Sequence, residues 1–179
     1  MYWILFVMGT MAAVVIALIV GGLTTPRAHV ASRVARLRAA PETVWALVRD
    51  VGSYASWRPD VQSTVVDGAE WEESSPRRSM RFGITQDQPP VRFGMRMLDD
   101  DLPYTGEWLW EIEADGDGSR VTLTERGEVG NPVFRFIGTQ MIGHTRSIDA
   151  VLHALATRVG DADAAIEDAP VKIPVTVRP

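Results

Sequence analysis

Apolar and polar residues follow three different patterns along the chain. Residues 3–23 are almost all apolar, and no charged side chain precedes Arg27. Between residues 28 and 129, short segments alternate apolar and polar positions, which is typical of strands with one buried face. From residue 131 to 158 the apolar positions recur at helical spacing instead. We therefore predict an anchor over residues 1–26, a folded domain over 28–159 and a disordered tail over 160–179.

The helical pattern near the end of the chain begins at Asn131 and Pro132, an N-cap residue followed by a proline that suits the first helical position. Gly160 follows the pattern as a C-terminal cap. One helix over residues 131–158 would be about 40 Å long, and we expect it to lie across a curved sheet. Its apolar face would consist of Phe134, Ile137, Met141, Ile148, Leu152 and Leu155.

The alternating segments predict an antiparallel meander. A first strand is expected at residues 30–37, followed by a helix that begins near Pro41 and a short helical turn at residues 54–57. Residues 115–118 (DGDG) are a hairpin signal. The six later strands are expected at residues 61–67, 70–73, 79–85, 91–98, 105–113 and 119–129.

The apolar N-terminal segment has roughly the 20 residues that a bilayer core requires. A cleaved signal peptide is the alternative, but its apolar core is usually about 7–15 residues long and follows a basic start, which this segment lacks. The positive-inside rule then places the folded domain of this single-pass membrane protein in the cytoplasm. The rule rests here on Arg27, Arg33, Arg36 and Arg38, which all follow the span.

Small residues recur at every fourth position of the span, on one helix face. Such a face lets a second helix approach closely, which predicts a homodimer. Chance in a segment rich in Ala and Gly is the alternative. The four residues are Gly9, Ala13, Ala17 and Gly21.

Composition and motifs exclude several kinds of chemistry. The net charge is −5, so the chain lacks the basic excess of nucleic-acid-binding proteins. No cysteine is present, which excludes disulfides and thiol catalysis. The three histidines, His29, His144 and His153, have spacings that suit no metal. Because motifs for phosphate binding, serine hydrolysis and zinc hydrolysis are also missing, we expect neither a metal nor a cofactor.

Three short segments and the order of the elements carry a resemblance to a known superfamily. The segments are residues 40–45 (APETVW), 57–61 (WRPDV) and 122–125 (TLTE). With the final helix, they resemble the START-related SRPBCC superfamily, and more narrowly a membrane-anchored bacterial subgroup of its polyketide cyclase/dehydrase and lipid-transport branch. The resemblance implies an α+β helix-grip fold: an antiparallel sheet curved around a long C-terminal helix, with a cavity between them, preceded by one transmembrane helix.

The alternation places aromatic and Met side chains on the face that would line such a cavity. Walls of this kind suit a large apolar ligand, although the same residues could simply fill a core. Trp57 lies where the short helices meet the sheet, either at the cavity mouth or as a plug of the core. The candidate ligand-binding residues are Trp57, Met80, Phe82, Phe93, Met95, Met97, Trp108, Trp110 and Met141.

Few polar candidates accompany these apolar residues. Glu125 shares the apolar face of its strand, and a buried carboxylate needs a partner. His144 is the predicted partner, and the pair would supply general acid and base chemistry. Gln140, one helical turn earlier, would bind the polar head of a ligand. An arginine partner, or an open rim around Glu125, is the alternative.

These observations leave three functions open. The one we favour is a membrane-anchored domain that binds a hydrophobic small molecule or lipid, because a tether to the bilayer raises the effective concentration of the domain there. A cyclase- or dehydrase-like enzyme would use Glu125 and His144 as acid and base. A structural or interaction domain is the third function.

Overall fold

A computed structural model describes residues 2–76, 78–137 and 145–170 of the chain. It contains an N-terminal helix, eight strands and three shorter helices, one of them with a 3₁₀ helix after it. The elements are α1 (Tyr2–Thr24), β1 (Ala28–Leu37), α2 (Pro41–Arg49), the 3₁₀ helix (Val51–Ser56), β2 (Ser63–Asp67), β3 (Glu70–Ser74), β4 (Ser79–Gln88), β5 (Arg92–Met97), β6 (Tyr104–Asp115), β7 (Gly118–Val129), α3 (Pro132–Ile137), α4 (Arg146–Arg158) and β8 (Ile166–Asp168).

All eight strands form one antiparallel sheet in the order β2-β3-β4-β5-β6-β7-β1-β8. Consecutive strands from β2 to β7 pair with each other, and β1 joins the sheet beside β7. The sheet curves around α4, so the predicted α+β helix-grip fold, with a C-terminal helix and an apolar N-terminal helix, is confirmed.

The core lies on the concave face of the sheet. Ile148, Leu152 and Leu155 of α4 are fully buried there, as the helical spacing of apolar residues predicts. The second helix on this face, α2, contacts β6 and β7. Its Trp45 ring meets Phe93 edge-on, with ring centroids 6.2 Å apart.

The prediction of one helix over residues 131–158 is wrong. The helix that crosses the sheet begins at Arg146, with Thr145 as its N-cap, and has 13 residues. Asn131 caps a separate six-residue helix, α3, by accepting a hydrogen bond of 2.9 Å from the backbone N–H of Val133. The physical reason is that α3 packs mainly on α1, and among the strands it contacts β7 to a smaller extent. Residues 138–144, between the two helices, lie outside the described part of the chain.

The prediction of a disordered tail from residue 160 is also wrong for its first part. Gly160 has a φ of 81°, which glycine adopts readily after a helix. Asp161 then accepts hydrogen bonds from the backbone N–H of Arg38 at 2.9 Å and from its Nε at 3.0 Å. The edge of β1 offers unpaired backbone groups, and β8 pairs with it. Residues 171–179 lie outside the described residues.

Helix α1 is long and apolar enough to cross a membrane, judged by length and composition, and its side chains are exposed over most of its length. Gly21 on the predicted dimer face contacts its own chain, because a Cβ added there would lie 2.7 Å from Cδ2 of Phe136 in α3. The predicted face is therefore occupied at this end by α3. A homodimer through Gly9, Ala13 and Ala17 stays a prediction.

Candidate functional site

A cavity of about 310 Å³ lies between the sheet and α4. Strands β4 to β7 supply most of its wall, and α4 closes it from the other side. Its lining is mainly apolar. Residues two positions apart on a strand point to the same face, and on these strands the residues that face the concave side are mostly apolar. The apolar lining residues include Met80, Phe82, Met95, Met97, Trp108, Trp110, Leu123, Ile148 and Val151.

Two glycines leave space for rings that line this cavity. Gly106 of β6 and Gly127 of β7 are cross-strand partners, and both line the cavity. A Cβ added at Gly106 would lie 2.9 Å from Cζ3 of Trp108, and one added at Gly127 would lie 2.7 Å from Nε2 of His29. The glycines therefore leave space for the rings of Trp108 and His29. Glycine inside a strand is a signal for such close approach, and the sequence analysis did not use it.

Aromatic rings form one wall of the cavity. The rings of Phe82 and Trp108 meet edge-on with centroids 5.7 Å apart, and Trp71 stacks on Phe82, also at 5.7 Å. Packing of this kind fixes the orientation of each ring. The wall is therefore a preformed apolar surface.

Glu125 is the centre of a polar cluster in the cavity. Its Oε2 accepts hydrogen bonds from Nε1 of Trp108 at 3.1 Å and from Oγ of Ser147 at 3.2 Å. Its Oε1 lies 3.6 Å from Nε2 of His29, and the two side chains are 16 % and 19 % exposed. This cluster joins β7 to β1, β6 and α4, so the carboxylate of Glu125 is contacted by groups from three other elements.

His29 is the functional candidate that the sequence analysis missed. Its position before the first expected strand, at residues 30–37, left it outside the predicted sheet. In the structure β1 starts at Ala28, and His29 pairs with Gly127, two residues from the pair formed by Ala31 and Glu125. The period of two along β1 could have placed His29 on the same face as Ala31. The predicted partner His144, together with Gln140 and Met141, lies outside the described residues.

A second polar cluster lines the cavity from β3 and the loop before β2. Nη1 of Arg58 lies 3.2 Å from the carboxylate of Glu73, whose other donor is Nε1 of Trp71 at 2.8 Å. Glu73 is 3 % exposed. Burial raises its pKa, although Arg58 and Trp71 act in the opposite direction. The sheet alternation that buries Trp71 also buries Glu73, and the sequence analysis overlooked this second carboxylate.

Two predicted cavity residues lie elsewhere. Trp57 packs edge-on against Tyr54, with ring centroids 5.5 Å apart, and Phe93 is fully buried against Trp45. Phe93 belongs to the packed core, which corrects the expectation that it lines the cavity, and Trp57 packs against that core, in agreement with the alternative that it plugs the core. The structure does bring together the other described candidates, namely Met80, Phe82, Met95, Met97, Trp108, Trp110 and Glu125.

Comparison with family models decides the classification of the chain. A model described as polyketide cyclase / dehydrase and lipid transport matches residues 28–160. The chain belongs to this family. The predicted resemblance to the START-related superfamily is thereby confirmed. A search of curated proteins found no match.

Solved structures of this family's fold are similar to the chain at low sequence identity. A conserved protein from Geobacillus kaustophilus has a TM-score of 0.64 and 15 % identity, covering 77 % of this chain and 99 % of that one. A START superfamily protein from Mycobacterium smegmatis has a TM-score of 0.58 and 16 % identity, covering 74 % and 97 %. Norcoclaurine synthase from Thalictrum flavum has a TM-score of 0.60 and 10 % identity, covering 79 % and 91 %. These similarities establish the fold alone.

Proposed function

We propose that this protein is a membrane-anchored domain that binds a hydrophobic small molecule or lipid in its cavity. The observation that carries the proposal is the cavity itself, which has aromatic and Met walls and a volume of about 310 Å³. That volume lies at the lower end of the range of small-molecule sites, which are mostly apolar with a few polar groups. Met side chains add adaptability, because the thioether chain changes rotamer easily.

The N-terminal helix supports the membrane part of the proposal. Only Thr25, Pro26 and Arg27 separate α1 from β1, a span of at most about 14 Å. If α1 crosses the bilayer, the cavity stays close to a store of apolar molecules. The arginines that follow the span favour a cytoplasmic domain.

The polar cluster at Glu125 supports a ligand with one polar group on an apolar body. The carboxylate accepts hydrogen bonds, so a ligand hydroxyl or amine could donate to it. His29, 3.6 Å from Glu125, can donate or accept according to its protonation. The polar group would then fix the orientation of the ligand.

The proposal is tested by expressing residues 28–179 without the span, followed by native mass spectrometry and extraction of bound lipids. We expect a stoichiometric apolar molecule to co-purify. Met80→Trp should reduce its occupancy by narrowing the cavity, because Met80 lines it. Val65→Trp is the matched control, because Val65 is exposed on β2. A protein that stays ligand-free when lipids are offered would contradict the binding function.

A second function, acid and base catalysis, is favoured by one observation. Glu125 and His29 lie 3.6 Å apart at an apolar cavity, which is close enough for a small movement to form a hydrogen bond. Norcoclaurine synthase shows that an enzyme can share this fold. A turnover that Glu125→Gln and His29→Gln each abolish, while ligand binding persists, would support the enzyme. Turnover that survives both substitutions would exclude this pair as acid and base.

A further inference from the structure

We propose that α3 lies in the surface of the bilayer, with Phe134 inserted among the lipids, so that the cavity opens towards the membrane. The proposal rests on the membrane anchor of the proposed function and adds a second membrane-binding element to it. Its partner is a lipid surface. The observations that carry it are the packing of α3 on the end of α1, the exposure of Phe134 and the position of the cavity lining.

Helix α3 is fixed to the carboxyl end of α1. Phe136 fills the space beside Gly21, and Gly22 is the buried residue of α1 because Pro132 lies against it. Nη1 of Arg135 donates a hydrogen bond of 3.0 Å to the backbone oxygen of Thr25. Since α1 ends at Thr24, these contacts hold α3 within about one helical turn of the end of the span. An anchored chain therefore carries α3 at the level of the lipid headgroups.

The outer side of α3 is apolar at Phe134. This residue is 56 % exposed, whereas its neighbour Arg135 is turned inwards and buried. An exposed aromatic ring is unfavourable in water, but aromatic residues are enriched where a membrane meets water. Short apolar faces of this kind enter the boundary between headgroups and acyl chains. The orientation of α3 thus presents an aromatic residue to the lipids and not a charged one.

The cavity lies at the same end of the sheet. Val129, which ends β7 three residues before α3 begins, lines it together with its cross-strand partner Tyr104. The backbone N–H of Val129 donates a 2.9 Å hydrogen bond to the carbonyl of Arg27, in the connection from α1. An apolar molecule could therefore pass between bilayer and cavity with little exposure to water.

Depth-dependent fluorescence quenching tests the position of α3 in the full chain. The chain has no cysteine, so Phe134→Cys creates a unique labelling site for an environment-sensitive dye. The protein is placed in phosphatidylcholine vesicles, and quenching by lipid-attached nitroxides is compared with quenching by aqueous iodide. Asp117→Cys is the matched control, because Asp117 is exposed in the turn between β6 and β7, about 40 Å from the other end of that hairpin. Val15→Cys reports on the span itself.

We expect the nitroxide to quench the label at residue 134 several-fold more strongly than the label at residue 117, and iodide to show the reverse order. Equal quenching at the two positions would overturn the proposal, and so would a label at 134 that neither quencher reaches, because protein would then cover it. A label at residue 15 that lipid nitroxides fail to quench would overturn the anchor and the proposed membrane function with it. If lipid nitroxides quench the label at residue 15 but not the label at residue 134, only the proposed position of α3 is overturned.

Discussion

The concave face of the sheet has two halves that differ in how they are filled. In one half, Phe93, Ile112 and Val121 are fully buried beneath α2 and its Trp45. In the other half, the same three strands, β5, β6 and β7, present Met95, Trp108 and Leu123 to a cavity. We call these the packed half and the open half.

The two halves differ in how completely the neighbouring helices fill the space above the sheet, and not in the hydrophobicity of the sheet residues. Both halves display large apolar side chains at every second strand position, so their patterns are alike. The open half has Gly106 and Gly127, beside which the rings of Trp108 and His29 lie. Its strands also carry two carboxylates that line the cavity, Glu73 and Glu125, and Asp60 lines it from the loop before β2. An apolar pattern therefore identifies a dry face without saying whether that face is filled.

The largest expected effect comes from the buried ion pair of the open half. Arg58→Met should lower the free energy of unfolding by about 3–5 kcal/mol, because Glu73 would remain buried without its cation. Denaturant unfolding of the full chain in detergent measures the loss. Glu73→Gln is the control and should cost less, because it leaves no buried anion.

The stability loss of Arg58→Met should depend on pH. Burial raises the pKa of Glu73 above its ordinary value of 4.5, so the folded protein binds a proton at Glu73 more readily than the unfolded chain does. Its contribution to stability is therefore present at low pH and is lost as the pH rises through the raised pKa. The deficit of Arg58→Met should accordingly grow from acidic to neutral pH. A deficit that stays constant over this range would argue against a buried charge as its cause.

Truncation should distinguish the two halves directly. Ile112→Ala in the packed half should cost about 2–5 kcal/mol, since it creates a new cavity in a filled core. Met80→Ala in the open half should cost clearly less, because Met80 is only half-buried and already borders empty space. Thermal or denaturant unfolding of both variants measures the difference. Equal losses would mean that the open half is filled in solution.

A pair of tryptophan substitutions should isolate one hydrogen bond in the open half. Trp108→Phe removes the indole donor to Glu125 and should cost about 1 kcal/mol beyond the change in ring size. Trp110→Phe is the matched control, because Nε1 of Trp110 has no hydrogen-bond partner within residues 2–76, 78–137 and 145–170. Unfolding free energies of the two variants give the difference. If Trp110→Phe lowers the free energy of unfolding by as much as Trp108→Phe does, the hydrogen bond to Glu125 contributes nothing measurable to stability.

The smallest expected effect concerns Asp161, at the end of the molecule that holds the packed half. Hydrogen bonds from the backbone and side chain of Arg38 lower the pKa of Asp161 from its ordinary value of 3.8. Its contribution to stability is thus present above about pH 4 and is lost as the pH falls through the lowered pKa. Asp161→Asn should unfold with a weaker pH dependence below pH 4. Identical acid titrations of wild type and variant would show that this contact is not needed.

Most of the fold could be predicted from the sequence, because apolar residues recur at every second position in most strands and the turns contain residues that favour turns. The DGDG turn between β6 and β7 and the start of α2 at Pro41 are examples. The boundary between α3 and α4 could not be predicted in this way. Phe134 and Ile148 fit one helical face, but α3 packs on α1, and a local pattern does not reveal which partner a helix face will meet.

The candidate site was predicted only in part. Glu125 was found because it interrupts an apolar face, and Met80 and Trp108 because they continue one. His29 was missed because the start of β1 depends on pairing with β7. Glu73 was missed although the period of two places it on the same face as Trp71, because its cationic partner Arg58 is close to it only in the folded structure.

The sequence by itself determined the kind of each element, the dry face of the sheet, the apolar N-terminal helix and the family. These depend on local periodicity, turn residues and segment length, which a chain carries before it folds. Only the tertiary structure decided that α3 joins α1, that β8 pairs with β1, that half of the concave face is open, and that His29 meets Glu125. Each of these depends on contacts between residues far apart in the chain, whose formation is set by competition among many apolar surfaces for the same partners.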